Sequence, residues 1–264
     1  MPIRHVVLVV LENKDYGSVI GSAPYLTSLA HRCGLETDYH AITHPSLPNY
    51  LAFTSGSTHG VSDDGGPFQH PIPGPSIFSV VAAAGLSWRT FAESMPGSCT
   101  LVPAGPYAVK HNPAAYYTGL RSQCRIADVP LGDIASGPLV TELAHGSLAA
   151  LTVVIPNLCD DMHDCSVGQG DRWLARWLPR IFASATYRTG TTAVFVTWDE
   201  GSAGQVVPLI VAAASVPADT RVPTPANHYS LLHTMAAALA LSSASLGSAA
   251  SATSLLTAFR LRPR

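Results

Sequence analysis

Three acidic clusters carry most of the chemistry that this chain could perform: Glu12-Asn13, Asp160-Asp161 with His163-Asp164, and Asp199-Glu200. Carboxylate oxygens are hard donors of the kind that hold a divalent cation, which makes Glu12, Asp199 and Glu200 candidate ligands. The chain has only 17 Asp+Glu in 264 residues. A solvated face would mix such groups with Lys and Arg, and these clusters do not. Any one cluster alone reads as a helix cap or a surface turn, but all three together read as a site.

A second element is Thr43-His44-Pro45-Ser46-Leu47-Pro48-Asn49-Tyr50. A serine at the start of a helix sits beside free backbone N–H groups, which favour an anion and an ionised hydroxyl. Taken alone, Ser46 is an ordinary N-cap. Beside a cation its alcohol becomes acidic enough to act as a nucleophile, so Ser46 is both a candidate ligand and a candidate nucleophile. Attack by such a nucleophile on an ester needs alignment, compensation for charge that develops on the oxygens of the reacting group, and a proton for the leaving oxygen. Asn49 and the N–H groups after Ser46 are candidates for the second task, and His163 or His228 for the third. His44, two residues from Ser46, is placed to face the same site.

These side chains need a scaffold, and the hydrophobic pattern supplies one. His5–Leu11 and Ala149–Ile155 are continuous, valine-rich runs that suit strands buried on both faces. Thr191–Thr197 and Val206–Ala212 follow the same pattern, and Trp88–Phe91 is a shorter strand. Helical spacing marks Ala23–Ala30, Pro48–Phe53, Ser76–Ala84, Asp171–Phe182 and Tyr229–Leu241. The three acidic clusters fall at strand carboxyl ends, the edge where open α/β sheets bind ligands. Alternating strands and helices predict an α/β fold with a mostly parallel sheet, in one domain over 1–264. Residues 93–139 read as a loop-rich insertion shaping the site, and 242–264 as a Ser/Ala-rich C-terminal segment.

Composition removes several classes. The net charge is −2 and 12% of residues are charged, about half the usual ~25%. Without a Lys/Arg cluster, nucleic-acid binding is not expected. No apolar run is long enough for a membrane span, and no signal-peptide pattern opens the chain. The five cysteines contain no C-x-x-C pair, against a zinc ribbon or thioredoxin-like site. Cys159 with Cys165 and Cys99 with Cys124 are one disulfide arrangement, leaving Cys33 over; five buried reduced thiols are the equal alternative.

Taken in order, Glu12-Asn13-x-x-Tyr16, His44-Pro45-Ser46-x-Pro48-Asn49-Tyr50, Pro156-Asn157-x-x-Asp160-Asp161-Met162-His163-Asp164, Trp198-Asp199-Glu200 and His228-Tyr229-Ser230 resemble the bacterial phosphoesterase family of phospholipases C and acid phosphatases. The resemblance runs from Leu11 to about Leu241 and is strongest to short secreted acid phosphatases that act as phosphatidylinositol-3-phosphatases. It implies an alkaline-phosphatase-like α/β/α sandwich and a metal-assisted phosphomonoesterase working through a phosphoserine. It also implies that Glu12, Asn13, Ser46, Asp199 and Glu200 hold one divalent metal ion, either Ca, Mg, Mn or Zn. Glu200 stands where two-metal relatives have a histidine.

The same resemblance implies that His163 and His228 contact the phosphoryl group or handle the leaving proton, with Asp161 and Asp164 orienting them. Lys110-His111-Asn112-Pro113 matches a further motif of the family, which makes Lys110 and His111 phosphate contacts. A phosphomonoester substrate, with a phosphoinositide lipid as one candidate, a secreted location and a monomer complete the expectations. A phospholipase C-type phosphodiesterase and a non-catalytic cation-binding domain are the alternatives. The absence of a G-x-S-x-G elbow argues against an α/β-hydrolase.

Overall fold

The computed structural model describes residues 1–202 and 204–264. Its centre is β1 (His5–Leu11), buried without interruption from Val6 to Leu11. Successive strand residues face opposite sides, so a run with no polar alternation must be covered on both. The other strands are β2 (Gly34–Glu36), β3 (Tyr39–His40), β4 (Trp88–Ala92), β5 (Asp128–Pro130), β6 (Leu151–Ile155), β7 (Thr192–Trp198), β8 (Leu209–Ala212), β9 (Thr220–Val222) and β10 (Ala226–Asn227). Eight of them form one sheet in the order β5-β4-β6-β1-β7-β8-β2-β9, while β10 pairs with β3 separately.

β5, β4, β6, β1 and β7 are parallel neighbours, and β8 lies antiparallel to both β7 and β2. The carboxyl ends of β6, β1 and β7 therefore sit side by side. The helices are α1 (Tyr16–Val19), α2 (Pro24–Arg32), α3 (Ser46–Ser55), α4 (Ile77–Ala83), α5 (Arg121–Ala127), α6 (Pro138–His145), α7 (Val167–Ala183), α8 (Ala185–Arg188) and α9 (His228–Ala238). α2, α6, α7 and α8 pack in one layer, and α3 packs with α4 and α9 in the other. The architecture is the α/β/α sandwich that the strand pattern and the resemblance predict.

Several boundaries differ from the sequence expectation for local reasons. α3 begins at Ser46 rather than Pro48; a proline in the first turn removes an N–H that has no partner there anyway. α7 begins at Val167, four residues before Asp171, because Gly168 and Gly170 hide its apolar stripe. A Cβ on Gly170 would lie 2.5 Å from the Met162 side chain and 2.9 Å from the Asp160 carbonyl oxygen, so only glycine lets α7 approach this closely. Asp171 then closes α2 from outside, its carboxylate accepting the Tyr25 and Leu26 N–H groups at 3.1 and 2.9 Å. Ala23 at the α2 N-cap position has no side chain to do so.

The segment from Glu93 to Leu139 contains more order than a loop-rich insertion suggests: three short 3-10 turns, α5, β5 and the start of α6. Its pieces are too short to show a period. The Ser/Ala-rich tail forms turns and one 3-10 segment at Gly247–Ala250, while Leu246, Leu255 and Phe259 are buried. Disulfides join Cys99 to Cys124 and Cys159 to Cys165, and Cys33 is free. Among the described residues no helix is long and apolar enough to cross a membrane.

Candidate active site

The first pair of candidate ligands directly follows β1. Glu12 is fully buried, and its backbone N–H donates to the Asp161 carbonyl oxygen at 2.8 Å, tying the end of β1 to the turn after β6. Asn13 has a φ of 48°, in the left-handed region that asparagine tolerates better than most side chains. Its backbone N–H donates to Asp199 Oδ1 at 3.2 Å. The Asn13 amide nitrogen, in its hydrogen-bonding orientation, lies 3.1 Å from Glu200 Oε1 and 3.3 Å from Asp199 Oδ1. Turning that amide over would present an oxygen at the same point, completing a three-oxygen cluster.

Ser46 meets this group from the opposite side. It is the first residue of α3, buried, and its Oγ donates to Glu12 Oε2 at 3.0 Å. Tyr50, one turn later, donates its hydroxyl to the other carboxylate oxygen, Glu12 Oε1. His111 stacks on the Tyr50 ring, with centroids 5.3 Å apart. His111 Nε2 is 3.2 Å from Glu12 Oε2 and Nδ1 is 3.2 Å from Asp161 Oδ2, but neither contact has hydrogen-bonding direction. Burial first, then the Lys110 charge, pushes the His111 pKa well down and keeps the ring neutral.

The carboxylates are costly to keep charged. Burial, followed by the Asp199 and Asp161 charges, raises the Glu12 pKa well above the usual range. Burial and Glu200 push Asp199 up to about 8. Asp161 is pushed up to about 7 chiefly by burial, and Glu200 to about 7 by burial and Asp64. Asp199 Oδ2, Asp161 Oδ2 and both His111 nitrogens are buried without a hydrogen-bond partner. Glu12, His111 and Asp161 also bring one ligand atom each within 4.8 Å of one another. Converging carboxylate oxygens that outnumber the donors facing them have the chemistry that a hard divalent cation requires.

His163 lies at the mouth, partly exposed. Its Nδ1 is 2.7 Å from Asp164 Oδ1, its backbone N–H donates to Asp161 Oδ1 at 2.7 Å, and its Nε2 is 3.5 Å from Lys110 Nζ. Met162, with a φ of 82°, takes the left-handed turn that separates Asp161 from His163, and the Cys159–Cys165 disulfide brackets the whole turn. Lys110 pairs with Asp64 at 2.7 Å. His44 Nδ1 is 2.7 Å from Glu200 Oε2.

Two residues are placed differently from their expected roles. His228 is fully buried, and both ring nitrogens are occupied: Nε2 lies 2.5 Å from the Asp199 carbonyl oxygen and Nδ1 lies 2.8 Å from the Tyr39 hydroxyl. Burial lowers its pKa to about 4, so the neutral ring donates from Nε2 and accepts from Tyr39. It supports the Asp199 backbone from behind and does not reach the mouth. Asn49 is likewise engaged: Oδ1 accepts from Ile42 and Thr43 N–H at 3.0 and 3.1 Å, and Nδ2 donates to Thr43 O at 2.8 Å. It shapes the turn that delivers Ser46, and its remaining contacts are from Nδ2 to Pro45 O at 3.3 Å and to Glu200 Oε2 at 3.4 Å.

Tyr50 and Asp64 are parts of the site that the sequence reading does not single out. Tyr50 had a signal, since four residues from Ser46 puts it on the same helical face. Asp64 had none, because Asp63-Asp64-Gly65-Gly66 reads as a plain turn. A cavity of about 320 Å³ opens beside the site, lined among others by Asp64, Tyr107, Val109, Lys110, Leu158 and His163. A larger one of about 620 Å³ beside Trp88, Arg89, Ile126 and Glu142 lies by the start of β4, away from the carboxylates.

Known proteins resemble this chain in sequence and in fold. The phosphoesterase family model matches residues 21–241. A phosphatidylinositol-3-phosphatase of Mycobacterium tuberculosis is 34% identical over 239 residues, covering 88% of this chain and 75% of that protein. A phosphate-repressible acid phosphatase of Penicillium chrysogenum is 28% identical over 197 residues, covering 72% of this chain and 46% of its own length. Among solved structures, an alkaline phosphatase superfamily protein from Vibrio parahaemolyticus superposes with a TM-score of 0.61 at 10% identity, covering 89% of this chain and 66% of that one. A phosphonate monoester hydrolase from Silicibacter pomeroyi gives 0.57 at 12% identity, covering 98% and 77%. At such identities these structures show the fold alone. With most of its length matched by the family model and a relative above 30% identity, the chain belongs to the phosphoesterase family and is a phosphoester-cleaving enzyme.

Proposed function

We propose that this chain is a metal-dependent phosphomonoesterase that forms a phosphoserine at Ser46. The observation that carries the reading is the Ser46 hydroxyl: it stands at the first turn of α3, 3.0 Å from Glu12, facing the buried carboxylates at the ends of β1 and β7. Glu12, Asn13, Ser46, Asp199 and Glu200 would hold a single divalent cation. That ion would supply positive charge for the oxygens that become negative during transfer and make the serine alcohol more acidic.

The chain's own groups do the rest. The hydrogen bond to Glu12 fixes the Ser46 rotamer, and Tyr50 fixes Glu12 from its other oxygen. Attack by Oγ on phosphorus, with the hydroxyl proton passing to Glu12 Oε2, forms the Ser46–phosphate bond and breaks the bond to the leaving oxygen. Backbone N–H groups of the first turn of α3 and the Lys110 ammonium compensate charge on the non-bridging oxygens. His163, at the mouth and held by Asp164, gives the leaving oxygen its proton. Water then cleaves the phosphoserine, releasing phosphate and restoring the hydroxyl. The leaving group lies in the cavity walled by Tyr107, Val109 and Leu158.

The mycobacterial relative's name supports a phosphoinositide among the substrates. With 12% charged residues and no basic patch in the sequence, the pocket and not a general attraction to anionic membranes would recognise such a lipid. The two disulfides support an oxidising, extracytoplasmic setting, in keeping with a secreted monomer. The test is phosphate release from p-nitrophenyl phosphate and phosphoinositides with and without chelator. Turnover that chelation abolishes and a divalent ion restores supports the reading; no turnover under any ion condition contradicts it.

A further inference from the structure

We infer that Asp64 is a resident anion on the phosphoryl subsite, which the phosphoryl group of a substrate must displace to bind. The inference rests on the proposed phosphomonoesterase reading and names what regulates access to its site. Asp64 Oδ1 accepts the backbone N–H of Leu47 at 3.0 Å, and Oδ2 accepts from Lys110 Nζ at 2.7 Å. Leu47 directly follows Ser46, so its N–H is the donor nearest the nucleophile at the free end of a ten-residue helix. Lys110 is the ammonium next to His163, 3.5 Å from its Nε2. One carboxylate thus occupies both groups that a phosphoryl oxygen pair would use.

The spacing of the two Asp64 oxygens reproduces part of a phosphate. A bidentate anion on a helix N–H and an ammonium is a charge-assisted arrangement, stronger than a neutral hydrogen bond. A substrate must displace it, which lowers apparent affinity by the fraction of molecules in which the subsite is open. A phosphomonoester brings two negative charges and three non-bridging oxygens to that exchange. A phosphodiester brings one charge and two such oxygens. The displaced side chain has room to leave: it is 30% exposed and is followed by Gly65-Gly66.

The competing role is positioning. If Asp64 only holds Lys110 in place, removing its charge would weaken phosphate binding; a resident anion predicts the opposite sign. The experiment measures binding of inorganic phosphate by titration calorimetry to the wild type and to Asp64→Asn, Asp64→Ser and Lys110→Met. Thermal melting checks folding, and the serine variant serves if the asparagine variant does not fold. Both Asp64 variants should bind phosphate about tenfold more tightly, and Lys110→Met more weakly. The kcat/KM for p-nitrophenyl phosphate should rise by a similar factor. Unchanged or weaker phosphate binding in the Asp64 variants overturns the inference. Because phosphate binding is read at equilibrium, a protein that failed to turn over any ester would contradict the phosphomonoesterase reading while still testing Asp64.

Discussion

Ser46 Oγ donates to Glu12 Oε2 at 3.0 Å, joining the first turn of α3 to the end of β1 across 34 positions of sequence. The same carboxylate accepts the Tyr50 hydroxyl through its other oxygen. Glu12 therefore fixes the proposed nucleophile and the candidate cation site together. Glu12→Gln keeps the shape and removes the charge. It should lower kcat/KM for p-nitrophenyl phosphate by at least about 100-fold and reduce bound metal measured by elemental analysis. Full activity with full metal content would remove Glu12 from the site.

The buried acids predict how stability depends on pH. Carboxyls with ordinary values of about 4 when unfolded reach about 7 for Asp161 and Glu200 and about 8 for Asp199 in the folded chain. The folded state then holds extra protons between those values. Its stability is fully present below pH about 4 and declines as pH rises through 7 to 8. With chelator present, the melting temperature should fall from pH 5 to pH 8. A divalent cation should raise it, and by more at pH 8 than at pH 5, because the cation replaces the protons. A melting temperature that rises with pH in chelator would contradict this account.

His163 and His228 should separate cleanly. His163→Asn removes the proposed proton donor, so it should slow alkyl phosphomonoesters by about 100-fold or more and p-nitrophenyl phosphate, whose leaving group needs no proton, far less. His228→Ala leaves the Tyr39 hydroxyl and the Asp199 carbonyl without partners in a closed interior. It should cost about 2–4 kcal/mol of stability in denaturant unfolding and show no dependence on the leaving group. A leaving-group dependence in the His228 variant instead would place the acid there.

How far the site is legible in the sequence follows from which contacts are local. β1, β6 and β7 announce themselves because uninterrupted burial demands uninterrupted apolar residues, and Glu12, Asp199 and the Asp160–Asp164 cluster stand out as polar groups at their ends. Ser46 is legible as a helix start. The division of labour between His163 and His228 is not, since it depends on which ring reaches the mouth and which is sealed behind Asp199. Asp64 reaches Leu47 and Lys110 across 17 and 46 positions, and no periodicity marks such a contact. β2 and β9 have three residues each, too few to show alternation.

The two disulfides should differ in what their loss does. By chain-entropy arguments the 25-residue Cys99–Cys124 separation is worth about 3.5 kcal/mol and the six-residue Cys159–Cys165 separation about 2 kcal/mol. Replacing both Cys159 and Cys165 by Ser should nevertheless reduce activity more, since that loop carries Asp161 and His163. Replacing Cys99 and Cys124 should lower the melting temperature more. Denaturation curves and kcat/KM on the two double variants compare these directly, and the reverse ranking would contradict the placement of the loop.

The most direct measurement is acid quenching during turnover of a phosphomonoester, followed by mass analysis of the peptide containing Ser46. The account predicts one added phosphoryl group on Ser46 in the wild type, none in Ser46→Ala, and loss of nearly all turnover in that variant while its melting temperature is retained. A Ser46→Ala protein that releases phosphate at the wild-type rate, or a phosphoryl group trapped on another residue, would contradict it.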